Sequence, residues 1–272
     1  MALIDFRLNT SARAWALVFA ATFLAAPALH AQTPAPSAVP DRAAIEQIVR
    51  DYLMSNPEII EQASAALKVR QAEAQEKATQ AALKTQHVAL YQHAATPVLG
   101  NADGDVAVVE FFDYRCGYCK RAAPAVKALL ASDKAVKVIY KELPILGPES
   151  VFASKIALAA HRQGKYEPLH LALFESEALD EKTVLLAAAK AGLNIEQLQR
   201  DAQSTEVAAQ LVQNQQLAEA LGVNGTPAFV IGNRLLPGAL DEERLISLVT
   251  TARAVTKIAA IDRAPAPQAK TP

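Results

Sequence analysis

Two cysteines separated by two residues are the part of this sequence best suited to chemistry. Cys116 and Cys119 are the only cysteines in the 272 residues, and Gly117 and Tyr118 lie between them. Two thiols at this spacing can close and open a disulfide, which is a two-electron exchange with another thiol pair. One pair supplies too few bridges for a disulfide scaffold and only half the ligands of a four-coordinate zinc site. The sequence therefore predicts redox chemistry at this pair.

The residues on either side of the pair predict a strand that leads directly into a helix. Residues 106–112 form a β-branched and aromatic run, typical of a buried strand, and the pattern from Cys116 onward is helical. Cys116 would then lie at the helix N-terminus, where unpaired N–H groups and the helix dipole favour a thiolate. Cys119, one turn inside, would be covered by the helix and would attack the mixed disulfide that Cys116 makes. Arg115 and Lys120 would add positive charge nearby.

A metal site is the main alternative interpretation of two neighbouring cysteines. Zinc needs more ligands than the pair supplies, and the histidines after residue 31 show no paired ligand spacing. These histidines are His87, His93, His161 and His170. A Cu(I) ion held by two thiolates stays open, although Met54 is the single methionine after residue 31 and no thioether cluster supports it. We therefore expect no metal and no other cofactor.

A second signal, Thr226-Pro227, lies far downstream, directly before an apolar run at 228–231. Taken alone, it predicts a plain trans turn. Together with the cysteine pair, it resembles the thioredoxin superfamily, and specifically the DsbA-like periplasmic thiol–disulfide oxidoreductases. The resemblance implies that the Thr226–Pro227 bond is cis and faces the cysteines, and that Thr226 presents backbone groups to an extended client. It also implies that Gly117 and Tyr118 help to bind that client.

Glu110 is a further residue that the resemblance assigns to the site. It lies six positions before Cys116, where the family has a buried acid that relays protons for the second cysteine, here Cys119. From the residues alone, Glu110 could also be a solvated glutamate at a strand edge, although apolar residues surround it. The resemblance covers about residues 95–255. The matching stretches include 97–101, 108–114 and 140–150.

The remaining pattern predicts an α/β fold, namely a thioredoxin fold with an inserted helical subdomain at about 150–221, preceded by an N-terminal helical stalk. We expect the thioredoxin domain to span residues 93–258. Its other predicted elements are a second strand, a hairpin and a last helix, at 136–140, 228–236 and 242–254. The predicted breaks between the inserted helices are Gly164, Pro168 and Gly192.

The N-terminal residues of the chain predict export, and the C-terminal residues predict disorder. Residues 1–31 carry basic residues and then an apolar run that is too short to span a bilayer, and small residues allow cleavage after Ala31 or Ala28. We expect a cleaved signal peptide and a location in the periplasm, with an uncleaved membrane anchor as the alternative. Residues 32–40 predict a flexible linker rich in proline, and 259–272 a disordered tail.

Residues 41–92 predict a helical stalk, with a cap at Asn56 followed by Pro57. Apolar residues then recur seven apart, at Ile60, Leu67, Ala74, Ala81 and Val88. The would-be partner row is largely charged, so the pattern indicates an exposed helix with a narrow seam, or a solvated stalk with no partner. Residues 52–60 resemble the stalk of the ScsC-like subgroup (suppressor of copper sensitivity), some of whose members are trimers. We therefore expect a homo-oligomer, with a trimer preferred.

Charge and composition exclude two other classes of protein. The formal net charge is −1, from 27 basic and 28 acidic residues, so no overall field would attract nucleic acid. Hydrophobic residues make up 51% of the chain and charged residues 20%, which excludes a wholly disordered protein.

The type of thiol chemistry is predicted from the resemblance at two positions. The pair Gly117-Tyr118 and a threonine before the proline, here Thr226, are found in the DsbC-type isomerases. The oxidase type instead has Pro-His between its cysteines and Val before the proline. We expect an isomerase or reductase that acts on exported proteins with cysteines or disulfides and is kept reduced by a membrane redox partner. The alternatives are a DsbA-like oxidase, a Cu(I)-binding copper-tolerance protein, and a chaperone that does not need its cysteines.

Overall fold

The structure is a computed structural model that describes residues 41–262. The predicted signal peptide (1–31), the predicted linker (32–40) and residues 263–272 of the predicted tail lie outside the described residues. The chain divides into two compact units between Ile59 and Ile60.

The described part of the first unit contains helix α1 (Arg42–Ser55), which follows Asp41 and ends at Asn56. Both the backbone N–H and the side-chain amide of Asn56 donate to the carbonyl of Tyr52, which closes the helix. The apolar residues of α1 recur at helical spacing on one face, and all of them are exposed. They are Ile45, Ile48, Val49 and Tyr52.

The second unit is built on a five-stranded sheet in the order β1-β3-β2-β4-β5. The strands are β1 (Val98–Gly100), β2 (Val106–Phe112), β3 (Val136–Glu142), β4 (Ala228–Ile231) and β5 (Arg234–Pro237). The central strand β2 pairs in parallel with β3 and antiparallel with β4. Both faces of β2 are covered, which is why its sequence is an almost continuous apolar run and not an alternating one.

Helices cover both faces of the sheet. They are α2 (Glu58–Thr85), α3 (His87–Tyr91), α4 (Gly117–Ser132), α5 (Pro148–Arg162), α6 (Tyr166–Glu175), α7 (Glu181–Lys190), α8 (Ile195–Ala202), α9 (Thr205–Leu221) and α10 (Glu242–Asp262). Helices α4 to α8 and α10 contribute to the core on one face, and α9, α3 and the end of α2 form the core on the other. This is the predicted thioredoxin fold, with α5 to α9 as the helical insertion.

Two boundaries in this fold differ from the predicted ones. Pro168 does not break a helix, because it is the third residue of α6, where a backbone N–H would have no partner within the helix. The last helix does not end near residue 254 but runs to Asp262, into the stretch predicted as a tail. The helix-favouring residues Ala259 and Ala260 explain the extension.

The predicted stalk consists of α1, α2 and α3, and its end belongs to the second unit. The hydroxyl of Thr85 donates to the carbonyl of Ala82 at 3.2 Å, a local bond that competes with the helix ladder where α2 stops. Within α2, Thr79 and Leu83 are buried, and Thr79 donates to the carbonyl of Leu221. The packed body therefore begins before residue 93.

Lys141 attaches the segment after α2 to the back of the sheet. Its side chain is buried on β3 and donates to the carbonyl of Ala89 at 2.7 Å and to the hydroxyl of Thr96 at 3.0 Å. Burial lowers the pKa of Lys141 to about 8. The predicted seam residues Ile60, Leu67 and Val88 are exposed, as the prediction of an exposed helix with a narrow seam requires.

The unequal burial along α2 predicts unequal effects of truncating its leucines. Leu83 is 7% exposed and Leu67 is 55% exposed. We expect Leu83→Ala to lower the free energy of unfolding by about 2–4 kcal/mol. The control Leu67→Ala, measured at the same low protein concentration, should change it by less than about 0.5 kcal/mol. Urea unfolding measures both, and equal losses for the two variants would contradict the packing described for α2.

Candidate active site

The strand β2 and the helix α4 place the two thiols. Cys116 is the N-cap residue of α4, and its N–H donates to the carbonyl of Asp113 at 3.0 Å, which shapes the turn between strand and helix. Cys119 lies in the first turn of α4 and has no exposed surface, whereas Cys116 is 6% exposed. Both are free thiols. The arrangement gives one cysteine that can reach a partner and one that is held back.

The loop before β4 lies against the first cysteine. Because β4 is antiparallel to β2, with Ala228 paired to Phe111, the residues that precede β4 lie beside the residues that follow β2. The Thr226–Pro227 bond is cis, and the Cys116 thiol donates to the carbonyl of Thr226 at 3.1 Å. The structure thus brings together two motifs that are far apart in the sequence.

Asp113 fixes the turn that carries Cys116. Its buried carboxylate accepts hydrogen bonds from the N–H of Arg115 and the hydroxyl of Ser150, each at 2.8 Å, and from the N–H of Leu146 at 3.0 Å. The sequence did not predict a role for Asp113. The available signal was an acidic residue placed between an apolar strand and the cysteines.

Glu110 is buried beneath the two thiols. Its side chain is 1% exposed, and Oε1 is a buried atom with no hydrogen-bond partner. Burial, together with the smaller effects of the negative charges of Cys116 and Glu142, raises the pKa of Glu110 to about 8. Glu110 is therefore not a solvated glutamate at a strand edge, and it holds its proton at neutral pH more readily than an ordinary glutamate.

A cavity of about 240 Å³ leads to Glu110. Its lining includes residues of α4 and α6 together with Tyr140 and His170. Burial lowers the pKa of His170 to about 3, so this ring is neutral. The cavity is large enough for water, which would explain the missing partner of Oε1.

Burial also raises the pKa of the Cys119 thiol, and the charges of Glu110 and Cys116 act in the same direction. A backbone hydrogen bond with Asp113 opposes this shift without cancelling it. Cys119 therefore remains a protonated thiol until its proton is taken by a neighbour. Glu110 is a buried acid whose charge acts on Cys119.

A second buried acid, Glu142, lies on the same face of the sheet. It accepts hydrogen bonds from Tyr166 at 2.9 Å, Tyr114 at 3.3 Å and Ser154 at 2.7 Å. Burial raises the pKa of Glu142 to about 8 even though the three hydroxyl donors act in the opposite direction. The sequence did not predict a role for Glu142, whose carboxylate accepts a hydrogen bond from Tyr114, two residues before Cys116.

The basic residues beside the thiols are engaged elsewhere. Arg115 donates to the carbonyl of Leu146 at 2.7 Å and lies 3.3 Å from Glu149. Lys120 donates to the carbonyl of Ser176. The positive charge that the sequence predicts near Cys116 is present, but the paired Glu149 offsets that of Arg115.

The described residues contain neither a cluster of metal ligands nor a helix that could span a membrane. Among residues 41–262, no three His, Cys, Asp or Glu side chains cluster as a metal ion would need. None of the helices in that range is both long and apolar enough to cross a membrane.

A cysteine pair at the start of a helix, faced by a cis-proline loop across a central strand, defines a thiol–disulfide oxidoreductase of the thioredoxin fold. The model of the DSBA-like thioredoxin domain matches residues 107–249, and that of the copper resistance protein ScsC N-terminal domain matches residues 41–74. The chain belongs to the DSBA-like thioredoxin family and carries an ScsC N-terminal domain.

Solved structures agree with this assignment. A thioredoxin-like oxidoreductase from Silicibacter pomeroyi DSS-3 is 47% identical, with a TM-score of 0.60 over 61% of this chain and 97% of that one. A linker-deletion mutant of Proteus mirabilis ScsC is 31% identical, with a TM-score of 0.62 over 81% of this chain and 100% of that one.

Among curated proteins, the Na(+)/H(+) antiporter NhaA 3 of Salinispora tropica is 29% identical over 164 residues, which is 59% of this chain and 25% of the antiporter. The chain thus spans about a quarter of the length of the curated relatives it matches. The match concerns one part of those longer proteins.

The buried Glu110 predicts a pH-dependent stability. The folded chain holds the Glu110 proton up to about pH 8, whereas the ordinary pKa is 4.5, so the free energy of unfolding should fall as the pH rises between these values. Glu110→Gln removes this titration and should reduce the fall by about 2–4 kcal/mol, leaving the part due to Glu142. The exposed Glu175→Gln is the control. Urea unfolding between pH 4 and 9 measures the effect, and an unchanged profile in Glu110→Gln would contradict the account of this acid.

Proposed function

We propose that this protein is a periplasmic disulfide isomerase or reductase that acts on exported proteins. The observation that carries the proposal is the pair Gly117-Tyr118 between the cysteines together with Thr226 before the cis proline. Both choices resemble the DsbC-type isomerases and differ from the Pro-His and Val of the oxidase type. A signal-like sequence at residues 1–31 supports the periplasmic location.

In the proposed mechanism, Cys116 acts first. Its thiolate attacks one sulfur of a wrong disulfide in a client whose extended segment lies along Thr226 and Pro227, with Gly117 and Tyr118 beside it. A new S–S bond joins Cys116 to the client, and the client's other sulfur leaves as a thiolate. That thiolate attacks a different client disulfide, the thiolate freed there attacks the client sulfur bonded to Cys116, and Cys116 leaves as a thiolate. The result is an isomerised client and an unchanged protein.

Cys119 and Glu110 provide the second half of the mechanism. When isomerisation stalls, Cys119 attacks Cys116, the client leaves with both cysteines reduced, and the protein becomes a disulfide. Cys119 must lose its proton for this step. Glu110, with a pKa of about 8, can take up that proton in its ionised form and return it when the pair is reduced again. A membrane redox partner would restore the dithiol by supplying two electrons.

The N-terminal region supports a homo-oligomer, with a trimer preferred. The apolar face of α1, which includes Ile48 and Tyr52, is exposed. Association through this face would tether several reduced sites around one misfolded client and raise their effective concentration. The match of residues 41–74 to the ScsC N-terminal domain also favours this interpretation.

A second candidate function is Cu(I) binding by the reduced pair. Two observations favour it, namely the description of the matching N-terminal domain as copper resistance protein and the presence of two adjacent free thiols. Thiolates are the ligands that Cu(I) prefers.

Recovery of activity in scrambled, wrongly disulfide-bonded ribonuclease tests the proposal. With a catalytic level of reductant, the full mature chain should restore ribonuclease activity, and Cys116→Ser should not. Ile48→Glu places a charge on the apolar face of α1 and should yield smaller assemblies and several-fold slower recovery. Gln47→Glu adds the same charge on the opposite side of α1 and is the matched control. Light scattering reports the size of the assemblies.

Three results would overturn parts of the proposal. Rapid oxidation of reduced ribonuclease without recovery of the scrambled form would indicate a DsbA-like oxidase. Full activity of Cys116→Ser would contradict the thiol mechanism. Stoichiometric Cu(I) binding without recovery would favour the copper function.

A further inference from the structure

Arg121 and Tyr118 form a stacked pair beside the thiols. The guanidinium carbon of Arg121 lies 4.0 Å from the centre of the Tyr118 ring, and this ring is 60% exposed. The two residues are three apart on α4, a spacing at which helix side chains meet. A side chain added at Gly117 would have its Cβ 4.0 Å from an Arg121 nitrogen. The charge of Arg121 is therefore held next to the residue that follows Cys116.

Arg121 differs from the other two basic residues near the thiols. Arg115 is paired with Glu149, and Lys120 donates to the carbonyl of Ser176. In the part of the chain that the structure describes, no carboxylate forms an ion pair with Arg121. Of the three cations, Arg121 is the one whose hydrogen-bond donors remain available to a client.

The contact with Tyr118 holds Arg121 in a position in which it can bind a planar anion. The contact with Tyr118 places the guanidinium carbon over the ring, and among the described residues the N–H groups of Arg121 make no hydrogen bond. A carboxylate binds the edge of a guanidinium through two parallel hydrogen bonds. Because the stack already restricts the long side chain, less conformational entropy is lost when a carboxylate binds. The protein as a whole is slightly acidic, with a net charge of −1, so the attraction is local to this site.

We propose that Arg121, stacked on Tyr118, forms a carboxylate subsite beside Cys116, so that the protein prefers client segments with an aspartate or glutamate next to the reactive cysteine. The inference rests on the proposed thiol–disulfide exchange and adds a substrate preference to it. Arg121 touches the client and not the sulfur atoms, so it affects which client binds more than how fast a bound client reacts.

Reduction of a short peptide disulfide provides the assay. Cys116 forms a bond to one peptide sulfur while the other leaves as a thiolate, and Cys119 then displaces the first, so two electrons pass from the protein to the peptide. Three peptides with one internal disulfide would carry Asp, Asn or Lys beside the same cysteine. The fully reduced protein is mixed with each peptide in excess at pH 7, and the single-turnover rate of peptide-thiol release at rising peptide concentration gives kcat/KM from its initial slope.

We expect the Asp peptide to react about three- to fivefold faster than the Asn peptide, through a lower KM, and the Lys peptide to react more slowly, as an exposed ion pair predicts. The preference should vanish at about 0.5 M salt, where charges are screened over a few ångströms. Arg121→Gln should bring the three rates close together. Lys127→Gln removes an exposed charge further along the same helix and should keep the preference.

Each outcome bears on one claim. Equal rates for the three peptides with the unaltered protein, or an undiminished Asp preference in Arg121→Gln, would overturn the subsite while leaving thiol exchange intact. Reduction of all three peptides by Cys116→Ser would instead overturn the proposed function. A preference lost equally in Lys127→Gln would show a diffuse effect of charge, which also contradicts a subsite at Arg121.

Discussion

The position of Cys116 as the N-cap residue of α4 is the constraint on which the rest of the site depends. One turn of helix separates a thiol that can reach a partner from a thiol that is wholly buried. We propose that this difference in burial divides the chemistry, so that the less buried Cys116 meets the client and the fully buried Cys119 resolves the bond that forms. The central strand β2 leads into the turn that carries Cys116, and Asp113 fixes this turn with three hydrogen bonds. The carbonyl of Thr226, in the loop before β4, accepts a hydrogen bond from the Cys116 thiol.

The two buried acids beneath this turn show how environment separates structural from chemical roles. Burial raises the pKa of both Glu110 and Glu142 to about 8. Glu142 has three hydroxyl donors and so is held in place, together with Tyr114, as part of the frame. Glu110 has no hydroxyl donors and lines a cavity that is large enough for water. We propose that this acid exchanges protons with the neighbouring thiol.

The sequence predicted the parts of this structure that depend on local pattern. The spacing of Cys116 and Cys119 and the apolar run before them identified the strand, the helix and the reactive pair. The packing of Leu83 and Thr79 was not predictable, because burial of α2 depends on where α9 lies and the repeat of seven pointed to Ile60 and Leu67 instead. Glu142 was missed for the same reason, since its donors come from distant parts of the chain that only the fold brings together.

The central claim, that one thiol is reactive and the other is held back, is tested most directly by measuring the alkylation of each cysteine. The fully reduced protein is treated with iodoacetamide between pH 5 and 9, and mass spectrometry of the peptides gives a separate rate for Cys116 and Cys119. The account predicts that Cys116 is modified first, and that Cys119, buried with a raised pKa, reacts at a comparable rate only after unfolding in denaturant. Equal rates for the two cysteines in the folded protein would contradict it.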